Sequence, residues 1–188
     1  YSYLTEWLDS RGYSYEDKDN EYYGLPQESN DLVSESGVVD FVKSLHIPFK
    51  VRDYQYYAIY QALKYNRRLL LSPTASGKSL MIYSITRFFT NRGDNVLIVV
   101  PTTSLVEQMC GDFDTYGWSS ADNCHKIYAG KDKHTSKQVT ITTWQSVYKM
   151  PKSYFENFDC VIGDEAHLFK AKSLINIMTK LHNCKHRI

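Results

Sequence analysis

Leu69-Leu70-Leu71-Ser72-Pro73-Thr74-Ala75-Ser76-Gly77-Lys78-Ser79-Leu80-Met81-Ile82 decides how the rest of the chain is read. An apolar run enters a loop of small residues, and Lys78-Ser79 opens a helix with an apolar first turn. That order is what a phosphate loop requires. Backbone N–H groups and the positive end of the helix face an anion, and Gly77 lets the main chain approach closely. In such a loop Lys78 would neutralise the β- and γ-phosphates of ATP, and the Ser79 hydroxyl would ligate Mg2+. Ser72, Pro73, Thr74, Ala75 and Ser76 form the rest of the cradle. Ser72 stands where the usual pattern has its first glycine, so the form GxxxxGK[ST] is not met in full. Taken alone, the competing reading of the stretch is a chance turn before a helix.

Outward from this loop the chain alternates short apolar runs with amphipathic stretches. Strands are expected at 69–72, 96–100, 126–128, 139–142 and 160–163, and helices at 54–65, 78–89, 104–113 and 173–181. Strands separated by helices predict an α/β fold with a parallel central sheet covered on both faces. Before Val39 the texture differs. Leu4, Trp7 and Leu8 have helical spacing with Gly12 as a cap, giving a helix over 2–11, and residues 13–37 read as a linker or the remnant of an N-terminal domain. Two domains are therefore expected: 1–38, the end of a small N-terminal domain and its linker, and 39–188, the nucleotide-binding lobe.

The second chemical signal lies at the end of the strand expected at 160–163. The apolar run Cys160-Val161-Ile162-Gly163 leads into Asp164-Glu165-Ala166-His167, placing two carboxylates at the carboxyl end of a strand, where open α/β sheets bind ligands. Asp164 can hold the magnesium, and Glu165 can orient and deprotonate the water that attacks the γ-phosphate. A solvated acidic pair at a helix start is the bland alternative, since acids suit that end of the dipole.

Composition bounds the partners. No apolar run approaches the ~20 residues of a membrane span, no secretory leader opens the chain, and a cytoplasmic setting is expected. Cys110, Cys124, Cys160 and Cys184 lie far apart with no CxxC pair, which predicts reduced thiols. Residues 1–40 carry a balance of −8 and residues 41–188 one of +9, so the main lobe is basic, as a polyanion binder would be.

With both signals in place, the sequence resembles the superfamily-two helicases, Asp164-Glu165-Ala166-His167 standing as their DEAH box. The resemblance implies a RecA-like first motor lobe and adds His167 to the catalytic set of Lys78, Asp164 and Glu165. Val51-Arg52-Asp53-Tyr54-Gln55 is similar to the family segment in which a glutamine reads adenine. That brings Arg52 and Gln55 into the ATP site, where an amide can pair with the base bidentately. Pro101-Thr102-Thr103 resembles motif Ia and Thr142-Thr143-Trp144-Gln145 motif Ib, with Tyr128-Ala129-Gly130-Lys131 between them as the glycine motif. In the family these loops hold the nucleic-acid backbone without reading sequence. Lys131, Lys133 and Lys137 are expected to support that contact. Trp144 has two readings, stacking on a base or packing beside its strand.

Pro101-Thr102-Thr103-Ser104-Leu105, Thr143-Trp144-Gln145-Ser146-Val147, Met150-Pro151-Lys152 and His182-Asn183-Cys184 are closest to the phage recombination and repair helicases of the UvsW type. The likeness implies an ATP-dependent DNA helicase or translocase that remodels branched DNA, with ATP and Mg2+ as cofactors and DNA as partner. It also implies a second RecA-like lobe, supplying motif III onward and an arginine finger, in a longer parent chain. An RNA helicase lobe and a DNA-binding scaffold with a relic nucleotide pocket are the alternatives, and a small-molecule kinase would need an acceptor pocket instead of a DEAH box. The identity of the activating polymer and nucleotide turnover separate these readings.

Overall fold

The computed structural model describes residues 7–14, 28–73, 75–128, 135–165 and 172–188. Its elements in chain order are α1 (Glu35–Ser44), α2 (Asp53–Lys64), α3 (Lys78–Asn91), β1 (Val96–Val100), α4 (Thr103–Thr115), α5 (Ser120–Asn123), β2 (Cys124–Ile127), β3 (Val139–Thr143), α6 (Trp144–Val147), α7 (Lys152–Phe155), β4 (Cys160–Gly163), α8 (Lys172–Lys180) and β5 (His186–Arg187). Five parallel strands lie in the order β2-β3-β1-β4-β5.

β1 reads Val-Leu-Ile-Val-Val, and all five residues are buried. Such an unbroken apolar run, β-branched at every position but Leu97, suits a strand with both faces covered, as a parallel sheet demands. Alternate side chains serve opposite layers. Val96, Ile98 and Val100 join the core under α1 to α4 with Val42, Ile59, Ile85 and Phe113, whereas Leu97 and Val99 pack with Val147, Phe155, Leu174 and Ile177 of α6 to α8. Truncating a fully buried side chain such as Ile98 would cost about 2–5 kcal/mol.

The expected strands at 96–100 and 160–163 form over those bounds, and the other elements expected after residue 39 form within a few residues of them, except at 69–72. Residues 69–72 join no ladder. Arg67 makes one parallel bridge to Arg187, and the Arg68 N–H donates to the Arg187 carbonyl at 3.0 Å. The Ile188 N–H bonds the Val161 carbonyl. Leu69 and Leu71 are left 65% and 90% exposed. The expected boundary at residue 38 falls inside a helix. α1 runs through it, capped by the Ser34 side chain, which accepts from the Gly37 N–H. Val33 and Val38 belong to the same core as the sheet, and Asn66 Oδ1 accepts from the Glu28 N–H at 2.7 Å. Glu28, Val33 and Val38 are thus in contact with the body that carries the sheet. Of the helix expected at 2–11, residues 7–10 are helical and the rest of its start lies outside the described residues.

Candidate active site

The loop before α3 is held by backbone geometry that its residue types permit. Gly77 sits at φ +78°, the left-handed region that glycine enters without a steric penalty. A Cβ there would also lie 2.4 Å from Gln55 Nε2. Ala75 too has a positive φ, 61°, and the Ser72 and Ser76 hydroxyls bond each other across the loop. α2 braces the loop from the side: Tyr54 Oη and Gln55 Nε2 both donate to the Ser76 carbonyl, at 3.0 and 2.9 Å. Gln55 Oε1 accepts from the Arg52 N–H at 2.9 Å. An amide has two N–H donors and two acceptor lone pairs, so one of each remains after these bonds. Sequence reading singled out Gln55 for a base and missed its work on the loop. The buried position of this polar side chain, 5% exposed, is the structural signal.

Across from the loop, β4 delivers the acidic pair. The Asp164 N–H donates to the Val99 carbonyl, continuing the β1–β4 ladder, and its Oδ1 accepts from the Glu165 N–H at 3.0 Å. Lys78 Nζ meets Glu165 Oε1 at 2.8 Å and lies 4.0 Å from Asp164 Oδ1. The hydrogen bond to Glu165 raises the lysine's proton affinity above its ordinary value, with the Asp164 charge adding to it against the cost of burial. Glu165 itself adopts φ 56°, a conformation in which a non-glycine residue is strained by about 1–3 kcal/mol. Asp164 offers carboxylate oxygen and Ser79, in the first turn of α3, a hydroxyl; these are the hard donors that Mg2+ takes. Ser79 Oγ is 2.9 Å from Tyr116 Oη, a partner no sequence spacing announced.

The expected nucleic-acid face divides. Thr102 caps α4, its side chain accepting from the Leu105 N–H, and Thr102 and Thr103 are exposed. Gln145 is exposed as well, and its Nε2 lies 3.5 Å from the Pro101 carbonyl, so motifs Ia and Ib adjoin. Thr142 does not reach the surface. It is 0% exposed and its hydroxyl donates to the Ile127 carbonyl, which corrects the expectation of a backbone contact from it. Thr143 is 4% exposed with its hydroxyl on Ser146. Both are the last residues of a strand buried on two sides, where hydroxyls are consumed internally. Trp144 packs against the second core layer, edge-on to Tyr148. Lys137 Nζ donates to the Ala121 and Cys124 carbonyls, so that ammonium is engaged within the fold. Thr74, Ala129, Gly130, Lys131, Lys133, Ala166 and His167 lie outside the described residues.

Comparison with known proteins places this geometry. Residues 48–187 match the family described as type III restriction enzyme, res subunit. The chain is 38% identical over 136 residues to the ATP-dependent DNA helicase uvsW of Enterobacteria phage T4, covering 70% of this chain and 27% of that protein. It is 29% identical over 163 residues to the DNA 3'-5' translocase XPB2 of Sulfurisphaera tokodaii, covering 82% of this chain and 34% of the other. The chain thus spans about a quarter to a third of these relatives. Among solved structures, the UvsW helicase from bacteriophage T4 superposes with a TM-score of 0.80 at 29% identity, over 99% of this chain and 67% of that one.

Proposed function

This chain belongs to the type III restriction enzyme res-subunit family, and from that membership and the site geometry we propose that it is the ATP-binding lobe of a DNA-driven motor that remodels branched DNA. The observation that supports this most strongly is the meeting of Lys78 with Glu165 and Asp164 between the phosphate loop and the end of β4. A polyphosphate arriving at the Gly77 loop competes with Glu165 for the lysine. Lys78 turns to the phosphate oxygens, and the freed Glu165 carboxylate is left beside the γ-phosphate, where it can orient a water and take its proton. Ser79 and Asp164 would hold Mg2+, which supplies charge neutralisation at the β- and γ-oxygens when bound. Gln55, with one donor and one acceptor spare, can pair with adenine while still holding Ser76. An occupied base site and a correctly shaped phosphate loop thereby become the same event.

The exposed Thr102, Thr103 and Gln145 form the part of the motif Ia and Ib surface that can meet a phosphate backbone. Contacts of that kind position a strand without reading it. Strand separation requires a second body to close on the nucleotide and reopen. A second RecA-like lobe in a longer chain, with an arginine reaching the γ-phosphate, completes the proposal.

ATP turnover measured without polymer and with single-stranded, duplex and branched DNA, RNA, and small hydroxyl acceptors tests it. Stimulation by DNA, greatest with branched DNA, is expected. Stimulation by a small acceptor alone, or by RNA in place of DNA, would overturn the reading.

A further inference from the structure

Lys180, the last residue of α8, is a cation that the proposed function does not use. Its ammonium donates to two main-chain carbonyls, Tyr148 at 2.8 Å and Met150 at 2.7 Å, and lies 5.8 Å from the centre of the Phe155 ring. The carbonyls belong to the turn that ends α6. α6 is one turn long, Trp144–Val147, so it has little hydrogen bonding of its own to hold it, and the Tyr148 and Met150 carbonyls lie just beyond its last residue. An ammonium at that end satisfies two acceptors and complements the negative pole of the helix. The anchor is backed by packing, since Leu174, Ile177 and Leu181 on the α8 side and Val147 of α6 share one buried cluster.

The opposite end of α6 bears on DNA. Gln145 in its first turn adjoins the Pro101 carbonyl, next to the exposed Thr102 and Thr103. A continuous set of contacts therefore runs from α8, the next described element after Asp164 and Glu165, through Lys180 and the end of α6 to the surface where motifs Ia and Ib meet. We infer that Lys180 is a positioning residue for the DNA-contact surface: it fixes α6 against α8 so that Gln145 and the 101–103 loop face the strand as one unit. This rests on the proposal that those loops hold DNA. Lys180 itself touches the main chain and takes no part in binding phosphate.

The test is the affinity of the protein for a fluorescein-labelled single-stranded oligonucleotide, measured by anisotropy across a salt series, for unaltered protein, Lys180→Met, Lys180→Arg and Thr103→Glu. Lys180→Met keeps the stem and removes the donors. It is expected to weaken binding roughly 2- to 30-fold, the range for a coupling residue that contacts neither ligand. The slope of log affinity against log salt should stay unchanged, and Lys180→Arg should recover most of the loss. A slope reduced by about 1 would identify Lys180 as a direct phosphate ligand and overturn the inference. So would unaltered affinity accompanied only by a lower melting temperature. Thr103→Glu separates this inference from the reading beneath it. A carboxylate in the first turn of α4 favours the helix and repels a phosphate. If Thr103→Glu binds as tightly as unaltered protein, the DNA-loop reading fails. If it weakens binding and Lys180→Met does not, only the inference fails.

Discussion

Glu165 has two tasks in the proposed function. Glu165 Oε1 lies 2.8 Å from Lys78 Nζ; in the proposed reaction the lysine is wanted at the phosphates and the carboxylate for water. Glu165→Gln removes the competing charge and the base together. Nucleotide affinity is expected to be equal or higher than in unaltered protein while single-turnover hydrolysis is lost, and near-normal turnover would reject Glu165 as the base. Gly77→Ala probes the loop itself, because a Cβ would meet Gln55 Nε2 at 2.4 Å and sit at φ +78°. That substitution should displace Gln55 from Ser76 and lower both thermal stability and nucleotide affinity. Finding both unchanged would show that the brace is dispensable.

At the scale of elements, β5 provides a test that is independent of catalysis. His186 is 7% exposed and packs against Phe89, with ring centroids 4.6 Å apart. Burial, reinforced by the Arg92 and Lys185 charges and opposed by Asp159, pushes its imidazole down to about 4. An unfolded chain takes up this proton near the ordinary value of about 6.5. The neutral form therefore stabilises the fold fully above pH 6.5, and that share is lost as pH falls towards 4, up to roughly 3 kcal/mol. His186→Gln should flatten the dependence of urea stability on pH in that window, and an unchanged slope would reject a neutral buried His186. Elements such as β1 and α3 were legible because period and composition agree over many residues. α6 and α7, at four residues each, are too short for a period to register. Residues 69–72 have the composition of a strand, but a strand is defined by a neighbour, and only Arg67 and Arg68 find one at β5. Sequence reading singled out Lys78, Asp164 and Glu165 because chemistry fixes residue type there, and the fold brings the three together. The site was not legible where only packing decides, as with Tyr116 on Ser79 or the burial of Thr142.

For the whole molecule, the surplus of charge over residues 41–188, +9 against −8 in the first forty, predicts how DNA should bind. Affinity for single-stranded DNA should fall steeply with salt and change little with sequence, because released counterions supply most of the binding energy. A flat salt dependence or strong sequence selection would contradict this. Hydrolysis by the 188 residues alone is expected to be slow, since an arginine finger contributes on the order of 10³–10⁵ in rate where one is used. Equal DNA-stimulated rates for this chain and for one that includes a second lobe would show that no such arginine is needed.

The central claim is that the phosphate loop and the end of β4 form one ATP site built around Lys78. Its most direct test is the equilibrium affinity for a fluorescent ATP analogue with Mg2+, compared between unaltered protein and Lys78→Ala at matched thermal stability. Loss of a charge-assisted bond to phosphate should weaken binding by about 1.5–3 kcal/mol, which is roughly 10- to 150-fold. Equal affinity in the two proteins would contradict the account.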